Sequence, residues 1–96
     1  MTRKEILTSA YHCVCGDREQ DYGSPENNFL EIAALWNAYL GTSAIRSWDV
    51  AAMLALLKIA RIASGHAKED NWIDLAGYAA CGGEIQSSRP EVSTNE

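Results

Sequence analysis

From Val50 to Ala63 every residue is apolar except Lys58 and Arg61. A helix of that composition is greasy on all sides and is stable in water only when covered on all sides. It is therefore expected to lie at the centre of whatever the chain builds. A chain of 96 residues makes one domain near the lower end of what folds alone. Three short neighbours can hardly enclose the whole helix. The expected fold is an all-α, compact four-helix bundle with a central apolar helix, and a second copy of the chain completes the cover, as a homodimer or higher oligomer. Ala51, Ala52, Ala55, Ala60 and Ala63 would permit close helix approach.

Stop and start signals place the other helices. Thr2 and Glu5 form a capping box that opens a helix from about Arg3 to Cys15, stopped by Gly16. Ser24-Pro25-Glu26 reads as an N-cap, a proline at the first helical position and an acid in the first turn. The helix it opens carries Phe29, Ile32, Ala33, Leu35, Trp36, Tyr39 and Leu40 and ends at Gly41. Ser47 is expected to cap the third helix, with Asp49 in its first turn and Gly65 just past its end. The fourth starts near Glu69 or Asp70 and runs to about Gln86, making residues 1–86 one helical domain. From Ser87 onward apolar content vanishes, so 87–96 is expected to be a flexible tail.

Bulk properties exclude several classes. Net charge is −5 and the basic residues are scattered, without the stripe a nucleic-acid binder uses, so a nucleic-acid polymer is an unexpected partner. Val50 to Leu57 is too short to span a membrane, and no signal peptide is visible in Met1-Thr2-Arg3-Lys4-Glu5. Cys13, Cys15 and Cys81 cannot all pair within one chain, which suits a reducing cytosol. The expected location is cytoplasmic, that of the host if a phage encodes the chain.

Two charged groups stand out. Lys58 and Arg61 are neighbours on one helix face, and Asp70 and Asp74 share a face with Tyr78 one turn further on. The short connection from Ser64 to Lys68 makes the third and fourth helices antiparallel, which brings the cations beside the acids. One reading is a salt-bridge cluster that merely satisfies itself. The other adds the acidic segment Asp17-Arg18-Glu19-Gln20-Asp21-Tyr22-Gly23, which leads into a helix N-terminus, where free N–H groups favour a phosphate. Asp21, Asp70 and Asp74 could then hold Mg²⁺, an oxygen-seeking ion that bridges to phosphates. Lys58 and Arg61 would neutralise phosphate charge, Arg61 in a bidentate manner. Tyr22, Trp36 or Trp72 could stack on a base, and Asn28 could reach the ligand. A binding protein without a metal would instead rely on Arg18, Tyr22, Lys58, Arg61 and Trp72.

Other residues read more plainly. His12-Cys13-Val14-Cys15 lacks a second ligand cluster for zinc, so its cysteines are expected to pack. Phe29, Trp36 and Tyr39 at helical spacing are expected in the core, and His66 in a turn.

The run from Gly16 through Phe29, together with Ile32-Ala33, Leu35-Trp36, Asp49 to Met53, Leu57 to Arg61 and Asp70 to Tyr78, is similar to a family of small uncharacterised phage and prophage proteins. The similarity covers about residues 5 to 86. More remotely, the order of an acidic segment, a central helix and a late acidic helix resembles the MazG-like all-α nucleoside triphosphate pyrophosphohydrolases. That group carries a Glu-x-x-Glu pair followed by a Glu-x-x-Asp pair, which together bind Mg²⁺. Here Arg18-Glu19-Gln20-Asp21 carries no such pair, and the later helix offers Asn71-x-x-Asp74 or Asp70-x-x-x-Asp74. The resemblance implies a nucleotide-binding protein, in its enzymatic form a Mg²⁺-dependent pyrophosphohydrolase. The alternative is a non-catalytic sponge that sequesters cyclic or other signalling nucleotides and so counters host antiphage defence. A purely structural interaction module is the third reading.

Overall fold

A computed structural model of the chain describes residues 1–16, 24–65 and 68–88. These residues form helices α1 (Arg3–Cys15), α2 (Pro25–Leu40), α3 (Ser47–Ala63) and α4 (Glu69–Ser88), with no strand among them. Local chemistry accounts for the boundaries. Thr2 Oγ1 accepts the Glu5 N–H at 3.1 Å, and Glu5 Oε1 accepts the Thr2 N–H at 2.7 Å, the reciprocal capping box. That backbone hydrogen bond holds the Glu5 carboxyl below its ordinary pKa. Ser24 Oγ accepts the Asn27 N–H at 3.3 Å, with Pro25 at the first helical position. Gly41 closes α2 in the left-handed region at φ 69°, where a side chain would be strained.

The start of α3 differs from expectation. Ser47 lies inside the helix and Arg46 is the cap residue. Asp49 supplies the missing acceptor: its Oδ2 takes the Arg46 N–H at 2.8 Å and Nε at 2.9 Å, and its Oδ1 takes Nη2 at 3.2 Å. The guanidinium also lies over the Trp48 ring, 4.8 Å from its centroid. The folded-back carboxylate thus satisfies the cap residue's own N–H, while the Asp49 N–H donates to the Arg46 carbonyl at 2.9 Å. At the other end of the chain, α4 runs two residues past Gln86. Ser87 Oγ donates to the Gly83 carbonyl at 2.6 Å and Ser88 Oγ to the Glu84 carbonyl at 2.8 Å, which lets polar residues continue the helix. Residues 89–96 lie outside the described residues.

Three contacts set the register of α3 against α4. Lys58 meets Asp74, Arg61 meets Asn71, and the Ala51 methyl lies where a side chain on Gly82 would stand. The residue numbers of each pair sum to nearly the same value, so the helices run antiparallel, as the short connection requires. By contrast, α1 runs in the same direction as α4. The Met1 ammonium donates to Glu69 Oε2 at 2.8 Å at one end, and Val14 Cγ1 lies 3.1 Å from where a Gly77 Cβ would stand at the other. Helix α4 contacts all three other helices. The core forms where α2, α3 and α4 meet, from Phe29, Ala33, Val50, Ala51, Cys81 and Ile85.

Helix α3 is covered on one side only within a single chain. Val50 and Ala51 are buried, and Leu54, Ala55, Lys58 and Ile62 are half-buried. The opposite face, Ala52, Met53, Leu56, Leu57, Ile59, Ala60 and Ala63, is exposed and carries no charge. Two packing expectations also need correction. Phe29 is buried and Trp36 half-buried, but Tyr39 is 90% exposed near the end of α2. Cys81 packs in the core, whereas Cys13 and Cys15 are exposed. The buried side of α1 carries Ala10 and, one turn on, Val14, so positions 13 and 15 fall to either side of it. Among the described residues no helix is long and apolar enough to cross a membrane.

Candidate anion site between the third and fourth helices

The last turns of α3 and the first turns of α4 carry a two-rung ladder of polar contacts. In the upper rung Lys58 Nζ lies 2.9 Å from Asp74 Oδ2, with side chains 18% and 39% exposed. Water still reaches Asp74, so the pair stabilises the fold by no more than about 1 kcal/mol. In the lower rung Arg61 Nε donates to Asn71 Oδ1 at 3.1 Å. Asn71 is the buried polar residue of the described core, 3% exposed, and its neutral acceptor fixes the guanidinium without cancelling its charge. Arg61 is itself exposed, and only its Nε is engaged among the described residues. Among the described residues its terminal nitrogens make no hydrogen bond or ion pair, and a guanidinium held through Nε alone suits bidentate recognition of a phosphate or carboxylate.

Beyond the upper rung, Asp74 borders a cleft of about 100 Å³ that it shares with Cys13, Val14, Ile73, Gly77 and Tyr78. The ring of Phe29 lies 6.5 Å from that of Tyr78, so the first turns of α2 also approach this region. Val14 near the end of α1 and Phe29 in the first turns of α2 thus both approach α4 near Asp74, and residues 17–23 join these two helices in sequence. The segment itself lies outside the described residues.

The expected site residues divide accordingly. Lys58 with Asp74, and Arg61 one turn on, are brought together. Arg18, Asp21 and Tyr22 lie outside the described residues. Asn28 is half-buried in the first turn of α2, its N–H bonded to the Ser24 carbonyl at 3.1 Å. Trp72 is 48% exposed. Asp70 is exposed and makes no hydrogen bond or ion pair with a described residue. Asn71 was not among the expected site residues. Its signal was the three-residue spacing from Asp74, which puts both on the face that meets α3.

Of the three carboxylates expected to hold Mg²⁺, two lie among the described residues. Among the described residues no three His, Cys, Asp or Glu side chains gather closely enough to hold a metal ion. Asp74 is already engaged by an ammonium, and Asp70 stands in solvent. The third expected carboxylate, Asp21, is outside the described residues.

Comparison with known proteins places these features in a family. Over 74 residues the chain is 45% identical to the Gene 55 protein of Mycobacterium phage L5, covering 77% of this chain and 47% of that protein. It is 40% identical over 78 residues to the Gene 55 protein of Mycobacterium phage D29, covering 81% of this chain and 51% of that protein. The chain thus spans about half the length of the curated relatives it matches. No solved structure matches. Residues 5–86, which include all of the ladder, match the family described as a domain of unknown function, DUF6378, and the chain belongs to that family.

Proposed function

We propose that this protein binds a nucleotide or related phosphorylated small molecule without turning it over, at the ladder between α3 and α4. The observation that carries the proposal is Arg61: a guanidinium anchored through Nε by a buried neutral amide, its terminal nitrogens bonded to no described residue. Lys58 adds a second cation one turn away, held in place by Asp74. The cleft of about 100 Å³ beside Asp74 is lined by neither cation, so the proposed anion sits at Lys58 and Arg61 rather than in that cleft. The further ligand contacts proposed are Asn28 and Trp72, with Arg18 and Tyr22, which lie outside the described residues. Binding without turnover is preferred over the MazG-like hydrolase reading because Asp74, which hydrolysis would need as a metal ligand, is ion-paired with Lys58. Hydrolysis would require Asp21 to join Asp70 and Asp74 around Mg²⁺. Since relatives are phage proteins, sequestration of a signalling nucleotide is the role such binding would serve.

The same reading includes self-association. Helix α3 becomes central only if its exposed apolar face is covered by another copy of the chain.

The test is equilibrium dialysis of the purified protein against nucleoside triphosphates and cyclic dinucleotides, with and without Mg²⁺, followed by analysis of the recovered ligand. Intact ligand bound saturably, and lost in Arg61→Gln with little change in melting temperature, is the expected result. Hydrolysis abolished by Asp74→Asn would replace sequestration by catalysis. Absence of binding to every phosphorylated compound at millimolar concentration would end the proposal.

A further inference from the structure

We infer that two copies of this chain pair through the outer face of α3, antiparallel, about a twofold axis passing between positions 57 and 58. The inference rests on the self-association stated above and adds to it a face, a direction and a register.

Ala52, Leu56, Ile59 and Ala63 recur at alternating four- and three-residue steps, the spacing that keeps one stripe of a helix against a partner helix. All four are exposed in the single chain, Leu56 at 61% and Ile59 at 47%. The stripe is also nearly palindromic in size: small, large, large, small. An isologous contact requires that if one residue meets a second, the second meets the first. Antiparallel pairing about the stated axis satisfies this, since Leu56 faces the partner subunit's Ile59 and Ala52 faces the partner subunit's Ala63. The small residues at both ends let the helices approach closely, and the large ones fill the centre.

The contact extends beyond α3. A groove of about 480 Å³ continues from Ala52, Ala55 and Leu56 onto Ala79, Gly82 and Gly83 of α4. Met53 and Leu57, 43% and 53% exposed, flank the stripe on its other side. Covers from within this sequence fit poorly. The residues outside the described set bring Tyr22 and Val92 as their only large apolar side chains. An anionic lipid surface would call for a cationic rim, and between Ala52 and Ala63 the exposed residues carry a single cation, Arg61.

The experiment uses the full chain, with Cys13→Ser and Cys15→Ser to remove the exposed thiols. Sedimentation at tens of micromolar should give twice the chain mass of 10.5 kDa. Leu56→Glu and Ile59→Lys should each give folded monomers, with unchanged helical circular dichroism because both positions are exposed. The double variant Leu56→Glu/Ile59→Lys should dimerise again, since each Glu faces a Lys of the other copy. Under mild oxidation, an equimolar mixture of Leu56→Cys and Ile59→Cys chains should form the mixed disulfide in excess of either homodimer. A monomeric parent chain overturns the proposal, as does a dimer indifferent to Leu56→Glu. Preferential disulfide formation by Leu56→Cys alone overturns the antiparallel register. Nucleotide binding by a monomeric chain would leave the anion site standing while removing this inference, so the two fail separately.

Discussion

Replacing Gly82 by alanine tests how closely α3 and α4 are packed. A Cβ there would stand 2.9 Å from the Ala51 Cβ and 4.0 Å from the Trp48 carbonyl oxygen. Carbon atoms at rest lie roughly 3.5–4.0 Å apart. Neither methyl can rotate away, because each is fixed to its backbone, so the two helices must separate or slide. Overpacking of this kind costs about 1–3 kcal/mol. Alanine in place of glycine recovers about 1 kcal/mol of helix propensity. The expected net effect is a loss of about 1 kcal/mol, which for a domain this small lowers the melting temperature by about 4–8 °C. Thermal and urea unfolding followed by circular dichroism measure it. The companion Ala51→Gly should also destabilise by about 1 kcal/mol, through propensity and lost packing. The double variant should cost clearly less than the sum, because moving the methyl across the seam relieves the clash. A Gly82→Ala protein that melts several degrees higher than the parent would refute the close crossing and, with it, the register of the ladder.

Three further outcomes follow from the described contacts. Asn37 donates to the Ile45 carbonyl at 2.9 Å and accepts the Ile45 N–H at 3.0 Å, which ties the α2–α3 connection to α2. Asn37→Leu should strand both backbone groups and cost about 2 kcal/mol in urea unfolding, whereas a neutral result would mean that water replaces the amide. The Arg46 guanidinium hydrogen bond holds the Asp49 carboxyl below its ordinary pKa. Its contribution is therefore present above the unfolded value of about 4 and lost as pH falls through the depressed folded value, so Asp49→Asn should lose less stability than the parent between about pH 5 and pH 2. Identical acid profiles would remove Asp49 from the account. Lys58→Ala deprives Asp74 of its described partner, yet Asp74 is 39% exposed, so the loss should be about 1 kcal/mol. A loss above about 3 kcal/mol would make the ladder a buried structural pair.

The helices were legible in the sequence because their ends are written in local chemistry. Thr2 with Glu5, Ser24 with Pro25, and Gly41 each satisfy or terminate backbone groups within a few residues. Arg46 was not legible as a cap, since its role depends on Asp49 folding back and on the Trp48 ring below it. The antiparallel placement of Lys58 and Arg61 beside α4 followed from connection length and helical spacing. Which partner each cation takes did not: Asp70 and Asn71 are adjacent in sequence, and only the rotation of α4 decides that Asn71 turns inward while Asp70 faces solvent. Asn37 was missed for a related reason, because its partner lies eight residues away in a non-helical connection. Apolar composition showed that α3 needs cover, but which of its faces meets α4 depends on packing between helices distant in sequence.

The most direct measurement concerns the Arg61 guanidinium itself. In ¹⁵N-labelled protein the Nε–H resonance of Arg61, assigned by its loss in Arg61→Gln, can be followed while a nucleoside triphosphate, a cyclic dinucleotide and inorganic phosphate are added in turn. A saturable shift with at least one of these, absent when Asn71→Leu removes the anchor, is the predicted result. A resonance that stays still through millimolar concentrations of all three would contradict an anion site on this ladder.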